Sequence, residues 1–226
     1  MNKLITALAF VGLLSAPQLV GASTFYSPNS AAATNTNASG TVADLINGDG
    51  MPVTPVTLYN IGTIAHSSAV DGELWRGDWS HTDPTPIKLT FDFSMPQQIS
   101  YVGLWQGFGD REGTGAFELR FWDGANGTGT EIGAVFSNQL DPDVTYDGMS
   151  LYSDQISLFG RAFNVGLRNG VTSFTLDIND NAVHFSPFVH LGEVMVAVPE
   201  PSTYASLMAL GLGGLYIRRR QCRKKS

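Results

Sequence analysis

Cysteine is nearly missing from this chain: among 226 residues only Cys222 is present, close to the C-terminus. An internal disulfide is therefore excluded, and so are a Cys nucleophile and a Cys-ligated zinc site anywhere upstream. Charge is sparse as well, at 15% of residues, and basic charge is the scarcer kind, with 13 Lys and Arg against 20 Asp and Glu. Lys3 and the six basic residues of 218–225 account for seven of the 13, whereas Glu200 is the one acidic residue outside 23–197. Residues 23–197 thus carry six basic and 19 acidic residues, a formal charge of −13 where the whole chain has −7. Such a segment has no basic patch to neutralise phosphates, so nucleic acid is not an expected partner. A Ca²⁺ ion or a neutral polymer fits better, although acidity also serves solubility by itself.

Catalytic motifs are missing too. None of His66, His81, His184 and His190 sits in an H-E-x-x-H pair, and there is no Gly-x-Ser-x-Gly elbow or phosphate-cradling Walker loop. The many carboxylates would suffice for a glycosidase pair about 5–10 Å apart, but spacing along the chain does not reveal that geometry. The expectation is a protein that is not an enzyme. Before Ser202 no long stretch repeats with the 3.6-residue period of a helix.

What is present begins at the two ends. Lys3 precedes an apolar core, Leu4 to Leu14, and Val20-Gly21-Ala22 supplies small residues for a cut after Ala22. Residues 1–22 read as a secretory signal peptide, with a retained anchor helix as the weaker alternative. At the other end Pro199 and Pro201 stop regular structure. The uncharged run Ser202–Ile217 is 16 residues long, about 24 Å as a helix, which is short for a bilayer span of about 20 residues. Arg218, Arg219 and Arg220 open a block of six basic residues in eight, which holds the C-terminus in the cytoplasm.

Val198-Pro199-Glu200-Pro201-Ser202-Thr203, then a short apolar helix and an Arg cluster, resembles the PEP-CTERM sorting signal of Gram-negative bacteria. The resemblance implies an exosortase as processing partner beside signal peptidase, with cleavage near Val198, Pro199, Glu200 and Pro201. It also implies transient anchoring in the inner membrane and a setting of exopolysaccharide export. The chain then divides into a signal peptide 1–22, an exported domain 23–197 and a sorting segment 198–226.

In the middle, apolar residues alternate with polar ones at Ile87–Phe93, Phe117–Phe121 and Phe174–Ile178. A period of two places each apolar set on one sheet face. Further strands are expected at Ile99–Gln106, Ile132–Phe136, Gln155–Leu158, Ala162–Val165 and His190–Val196. Turn formers separate them, among them Gly107–Asp110, Asp123–Gly127, Asp141–Asp143 and Arg168-Asn169-Gly170. Ser23–Gly40 is a polar lead-in or an irregular first strand. Many short strands at this spacing predict an all-β fold, an antiparallel jelly-roll β-sandwich.

The series Val42–Gly50, Trp75 and Trp79, Ile87–Phe93, Ile99–Leu104, Phe117–Phe121 and Leu191-Gly192-Glu193-Val194 resembles the discoidin-like, galactose-binding-like jelly rolls, which include carbohydrate-binding modules. In that family an early Asp-Gly-Asx loop and a late Glu hold a structural calcium ion. By position the resemblance implies Asn47, Asp49 and Glu193 as ligands, with the carbonyl of Asp44 added. Asn47 stands where the family usually has a carboxylate, and Pro52 meets the family's Thr, with Thr54 displaced by two. One carboxylate fewer weakens a Ca²⁺ site; the alternative is a glycine turn with Glu193 on the surface. Asp177, Asn179, Asp180 and Asn181 look like the start of an EF-hand, but Ala182 and Phe188 replace its glycine and glutamate, so a turn is expected.

Sugar binding needs an apolar face to stack on and groups to bond hydroxyls. The loop Gly107–Gly115 offers Phe108, Asp110, Arg111 and Glu112, and Tyr146 and Tyr152 flank another polar loop. Trp75 and Trp79 are expected in the core. The expected function is a non-enzymatic binding domain of the cell envelope or matrix, associated with exopolysaccharide. A matrix protein without a small-ligand site, and more remotely a carbohydrate-active enzyme, are the alternatives.

Overall fold

Alternating side chains form the first long strand here, and the computed structural model shows where each face goes. It describes residues 23–34, 41–48, 51, 55–64, 75–78, 86–106, 114–140, 160–180 and 188–198. Thr24–Pro199 makes one compact unit; the second, Met1–Ser23 with Glu200–Ser226, lies almost wholly outside the described residues. Among the described residues nine strands run in chain order: β1 Phe25–Tyr26, β2 Ser30–Ala33, β3 Trp75–Asp78, β4 Ile87–Trp105, β5 Ala116–Trp122, β6 Phe136–Gln139, β7 Arg161–Ile178, β8 Phe188–Leu191 and β9 Glu193–Ala197. All the pairings between these strands are antiparallel. Short 3₁₀ turns at Val42–Leu45 and Ile61–Thr63 are the helical pieces among the described residues.

The larger sheet runs β1-β9-β4-β7-β5-β6, with β2 also on β4; β3 and β8 form a second sheet. Ile87, Leu89, Phe91 and Phe93 point inward, opposite Ile178, Leu176 and Phe174 of β7, and Phe117, Leu119 and Phe121 of β5 continue the row. Phe91 stacks on Phe174 with ring centroids 4.8 Å apart. Burying each such ring contributes about 1.5–3 kcal/mol before strain and entropy are counted. Trp75, Val189 and Leu191 of the smaller sheet belong to the same apolar cluster. The two layers approach closely at Gly77, where an added Cβ would lie 2.5 Å from the Trp75 ring and 3.0 Å from Ile87.

A second cluster lies behind β9: Phe25, Val56, Ile61, Ile64, Trp105, Met195 and Ala197. Val194 and Val196 join the first cluster while Met195 and Ala197 join the second. This strand is therefore apolar on both faces, and all five of its residues are buried. The Trp105 indole donates to the Ile64 carbonyl at 3.0 Å, which satisfies its buried N–H.

The expected strands at 87–93, 117–121 and 174–178 are present, and Trp75 is a core residue. Four expectations need correction. The expected His190–Val196 strand is two, β8 and β9, which lie in different sheets on either side of Gly192. Ile87–Phe93 and Ile99–Gln106 are one bent strand, β4, whose register with β7 slips between Asp92 and Gln97. Pro96 lies in that slip, where no ladder donor is needed. Arg168-Asn169-Gly170 is no turn: it lies inside β7, and Gly170, with φ +76, is the extra residue where Gln97 pairs with Val171 and Gln98 with Asn169. The expected Ile132–Phe136 strand begins only at Phe136. The carbonyls of Ile132 and Ala134 accept from the Arg168 guanidinium instead of a ladder. The Gln155–Leu158 strand, Trp79, the signal peptide 1–22 and the apolar segment 202–217 fall outside the described residues. No described helix is long and apolar enough to cross a membrane.

Candidate functional site

The Thr41–Gly48 turn is built by its own polar side chains. Thr41 precedes the 3₁₀ turn, and the Asp44 carboxylate folds back to accept from the Thr41 amide at 2.5 Å and its hydroxyl at 3.1 Å. The Asn47 side-chain amide donates to Asp44 at 3.5 Å. Leu45 is wholly buried and pins the turn to the core. The chain then leaves through Gly48, whose φ of +76 suits glycine. Its amide donates to Glu193 Oε2 at 3.2 Å, 145 residues away in sequence.

Glu193 opens β9 opposite Trp105 and is fully buried. Its other carboxylate oxygen accepts from the Ser27 hydroxyl at 3.4 Å. Hydrogen bonds to both oxygens are what allow a carboxylate into this interior. The expectation of Glu193 on the surface, the alternative to a metal role, is therefore set aside. Of the expected calcium ligands, the fold brings Asp44, Asn47 and Glu193 to one place; Asp49 lies outside the described residues. The chemistry of the set suits a hard cation in part. Glu193 supplies a carboxylate, and Asn47 and the Asp44 carbonyl are neutral oxygen donors by type, but the Asp44 carboxylate is committed to Thr41. Among the described residues no three His, Cys, Asp or Glu side chains form a metal cluster.

The loop expected to meet sugars springs from the same end. Trp105 pairs with Glu193, and Gln106 follows it. Gln106 accepts from the Thr114 amide at 2.9 Å, and the Thr114 hydroxyl donates to the His190 carbonyl at 3.1 Å. Both side chains are buried, so the two ends of the 107–113 loop are clamped together. Phe108, Asp110 and Arg111 themselves fall outside the described residues, as do Tyr146 and Tyr152. Sequence reasoning had not singled out Gln106 and Thr114; the polar pair bracketing a glycine-rich loop was the available signal.

Of the EF-hand-like cluster, Asp177, Asn179 and Asp180 are described and Asn181 is not. Asp177 lies in β7 beside Lys88 and Arg120, while Asn179 and Asp180 follow the strand, where both their amides donate to the Ala116 carbonyl. Two cations beside Asp177 oppose a metal there. Val198 follows the buried end of β9 directly. Pro199, Glu200, Pro201, Arg218, Arg219 and Arg220 lie beyond the described residues.

Residues 197–220 match the PEP-CTERM protein-sorting motif. The motif thus begins on the last residue of β9 and spans the expected Val198–Pro201 and Arg218–Arg220. Among curated proteins none matches the chain. Solved structures do. The family 32 carbohydrate-binding module of C. perfringens NanJ in complex with galactose is 14% identical, covers 74% of this chain and 92% of its own, and has a TM-score of 0.45. The lectin domain of lectinolysin complexed with Lewis B antigen is 12% identical, covers 76% and 93%, and has a TM-score of 0.44. Truncated AlyQ with its module and alginate lyase domains is 12% identical, covers 78% of this chain and 34% of its own, and has a TM-score of 0.46.

Proposed function

We propose that this protein is exported by its N-terminal signal, held in the inner membrane by residues 202–217, and processed by an exosortase. Residues 23–197 then act at the cell envelope or in the extracellular matrix as a non-catalytic module of jelly-roll type that binds polysaccharide. The observation that carries the export reading is the sorting motif at 197–220, attached without a spacer to the last strand of the folded unit. Support for a binding role comes from the end of the fold where the Thr41–Gly48 turn, Glu193 and the clamped base of the 107–113 loop converge. Two buried polar anchors there hold a loop rich in glycine and charge, the usual build of a ligand loop on a rigid scaffold.

Export is tested by inserting alkaline phosphatase after Val198 in a Gram-negative host. Activity on the outer side of the inner membrane is expected; activity confined to the cytosol removes the reading. Binding is tested by retardation of the full-length, detergent-solubilised chain in gels containing neutral polysaccharide.

A structural Ca²⁺ held by Asn47, Asp49, Glu193 and the Asp44 carbonyl belongs to this reading. An ion bound to the native state alone raises stability, by about 2.7 kcal/mol at 100 times its dissociation constant. The full-length protein melted in Ca²⁺ and in EDTA is expected to differ by several degrees. Coincident curves would remove the metal.

A further inference from the structure

The polar face of the larger sheet carries a second site. Lys88, Asp177 and Glu118 lie directly opposite one another on β4, β7 and β5. Neighbouring strands are about 4.8 Å apart, so the three heads make a row roughly 10 Å long. Arg120 stands two residues along β5. Together with Pro86 and Asn179 these residues line a cleft of about 470 Å³, within the range of small-ligand sites.

The charges in the cleft are mixed and interlocked. Arg120 donates to Glu118 at 2.9 Å and stands 3.5 Å from Glu131 and 3.7 Å from Asp177. Lys88 lies 3.8 Å from Asp177 Oδ1, and its side chain is 45% exposed. Asp177 is nine-tenths buried, and among the described residues its Oδ1 accepts no hydrogen bond. Burial raises its pKa above the ordinary carboxylate value, against the pull of Lys88 and Arg120. Oδ1 is sealed from solvent, so the acceptor for a ligand is Oδ2, which stands 3.7 Å from Arg120, beyond hydrogen-bond length; a hydroxyl that reaches it gains, because hydrogen bonds to charged groups are the strong ones.

The ligand class follows from what the set rejects. Three carboxylates against two cations disfavour a phosphate or a polyuronate. Lys88 and Arg120 disfavour a bare metal ion. A neutral vicinal diol suits it, since each hydroxyl both donates and accepts: one donates to Asp177 while its neighbour accepts from Lys88. The Pro86 ring and the Lys88 stem supply apolar surface beside them.

We propose that this cleft is a saccharide site that takes the vicinal hydroxyls of a neutral sugar chain, separate from the 107–113 loop. The proposal rests on the polysaccharide reading for its ligand class, and the geometry supplies the place. The probes are dextran, galactomannan and xyloglucan in affinity gels, with alginate as the anionic comparison and the full-length protein in detergent. At least one neutral polymer is expected to retard the wild type while alginate does not. Lys88→Ala and Asp177→Asn are each expected to weaken that retardation about tenfold, and Met95→Ala, at an exposed residue of β4 outside the cleft, to leave it unchanged. Lys88 is half exposed, so its removal spares the fold, and unchanged melting of each variant confirms this. Retardation kept at wild-type strength in both Lys88→Ala and Asp177→Asn overturns the cleft and leaves the polysaccharide reading standing. Retardation by alginate alone overturns the neutral-sugar assignment. Failure of every polymer overturns both readings.

Discussion

Glu193 and Asp177 are both acidic side chains on buried strands, yet the fold houses them differently. Glu193 opens a strand covered on both faces by separate apolar clusters. Water does not reach it, and each of its oxygens takes a hydrogen bond from a loop. Asp177 lies on a strand with one face in the core and the other under a polar surface. Its neighbours are charges at 3.7–3.8 Å rather than close hydrogen-bond donors. The first arrangement ties distant parts of the chain together. The second leaves binding capacity unused.

Replacing Glu193 by Ala is the strongest way to break this contrast. It strands the Gly48 amide and the Ser27 hydroxyl beside a buried void, with an expected loss of about 3 kcal/mol. Denaturant unfolding should show it, and the same variant should lose any response of melting to Ca²⁺. A loss below about 1 kcal/mol would mean that Glu193 does not anchor the turn.

Next comes the support behind β9. At Gly160 an added Cβ would lie 2.3 Å from the Trp105 indole, which holds the second cluster. Gly160→Ala forces that ring to move and is expected to cost about 1–3 kcal/mol, with a change in tryptophan fluorescence. Unaltered fluorescence and stability would mean that the second cluster yields freely and does not brace β9.

The smallest effect is expected at Asp177. Asn at this position removes a desolvated charge but also the partner of Lys88 and Arg120, so the net change at pH 7 should stay within about 1 kcal/mol. The sign of its pH dependence is definite. Burial raises the folded pKa, opposed by Lys88 and Arg120 and reinforced by Glu118. The folded protein therefore holds this proton more tightly than the unfolded chain. Ionisation costs stability above the folded pKa, and that cost fades as pH falls through it toward the ordinary value. Glu131 shares Arg120 with it at 3.5 Å. Wild type should gain on Asp177→Asn when unfolding is compared at pH 7 and near about pH 4. A constant difference would place Asp177 in water.

Much of this was readable beforehand, and the misses have local causes. Alternation at 87–93, 117–121 and 174–178 marked strands because one face of each meets a core and the other does not. The polar residues of that alternation in β7, Thr175 and Asp177, and Ser173 just before them, are nevertheless buried. The 124–127 turn folds back over part of that face: the Gly127 amide donates to the Ser173 hydroxyl at 3.0 Å, and that hydroxyl donates to the Gly124 carbonyl at 2.6 Å. Arg168-Asn169-Gly170 has turn composition but lies in a strand, because an irregular strand asks for the same positive-φ glycine as a turn.

Composition and order alone determined the near absence of cysteine, the acidic middle, the sorting motif at the C-terminus and the strand character between. Those are properties of single residues and their near neighbours. Tertiary structure decided which polar residues meet: Gly48 with Glu193, Gln106 with Thr114, and Lys88 with Asp177 and Glu118. The reason is register. A slip of one residue along a strand turns every side chain to the opposite face, and register across separated strands is set by how the two apolar clusters pack, which no local stretch of sequence encodes.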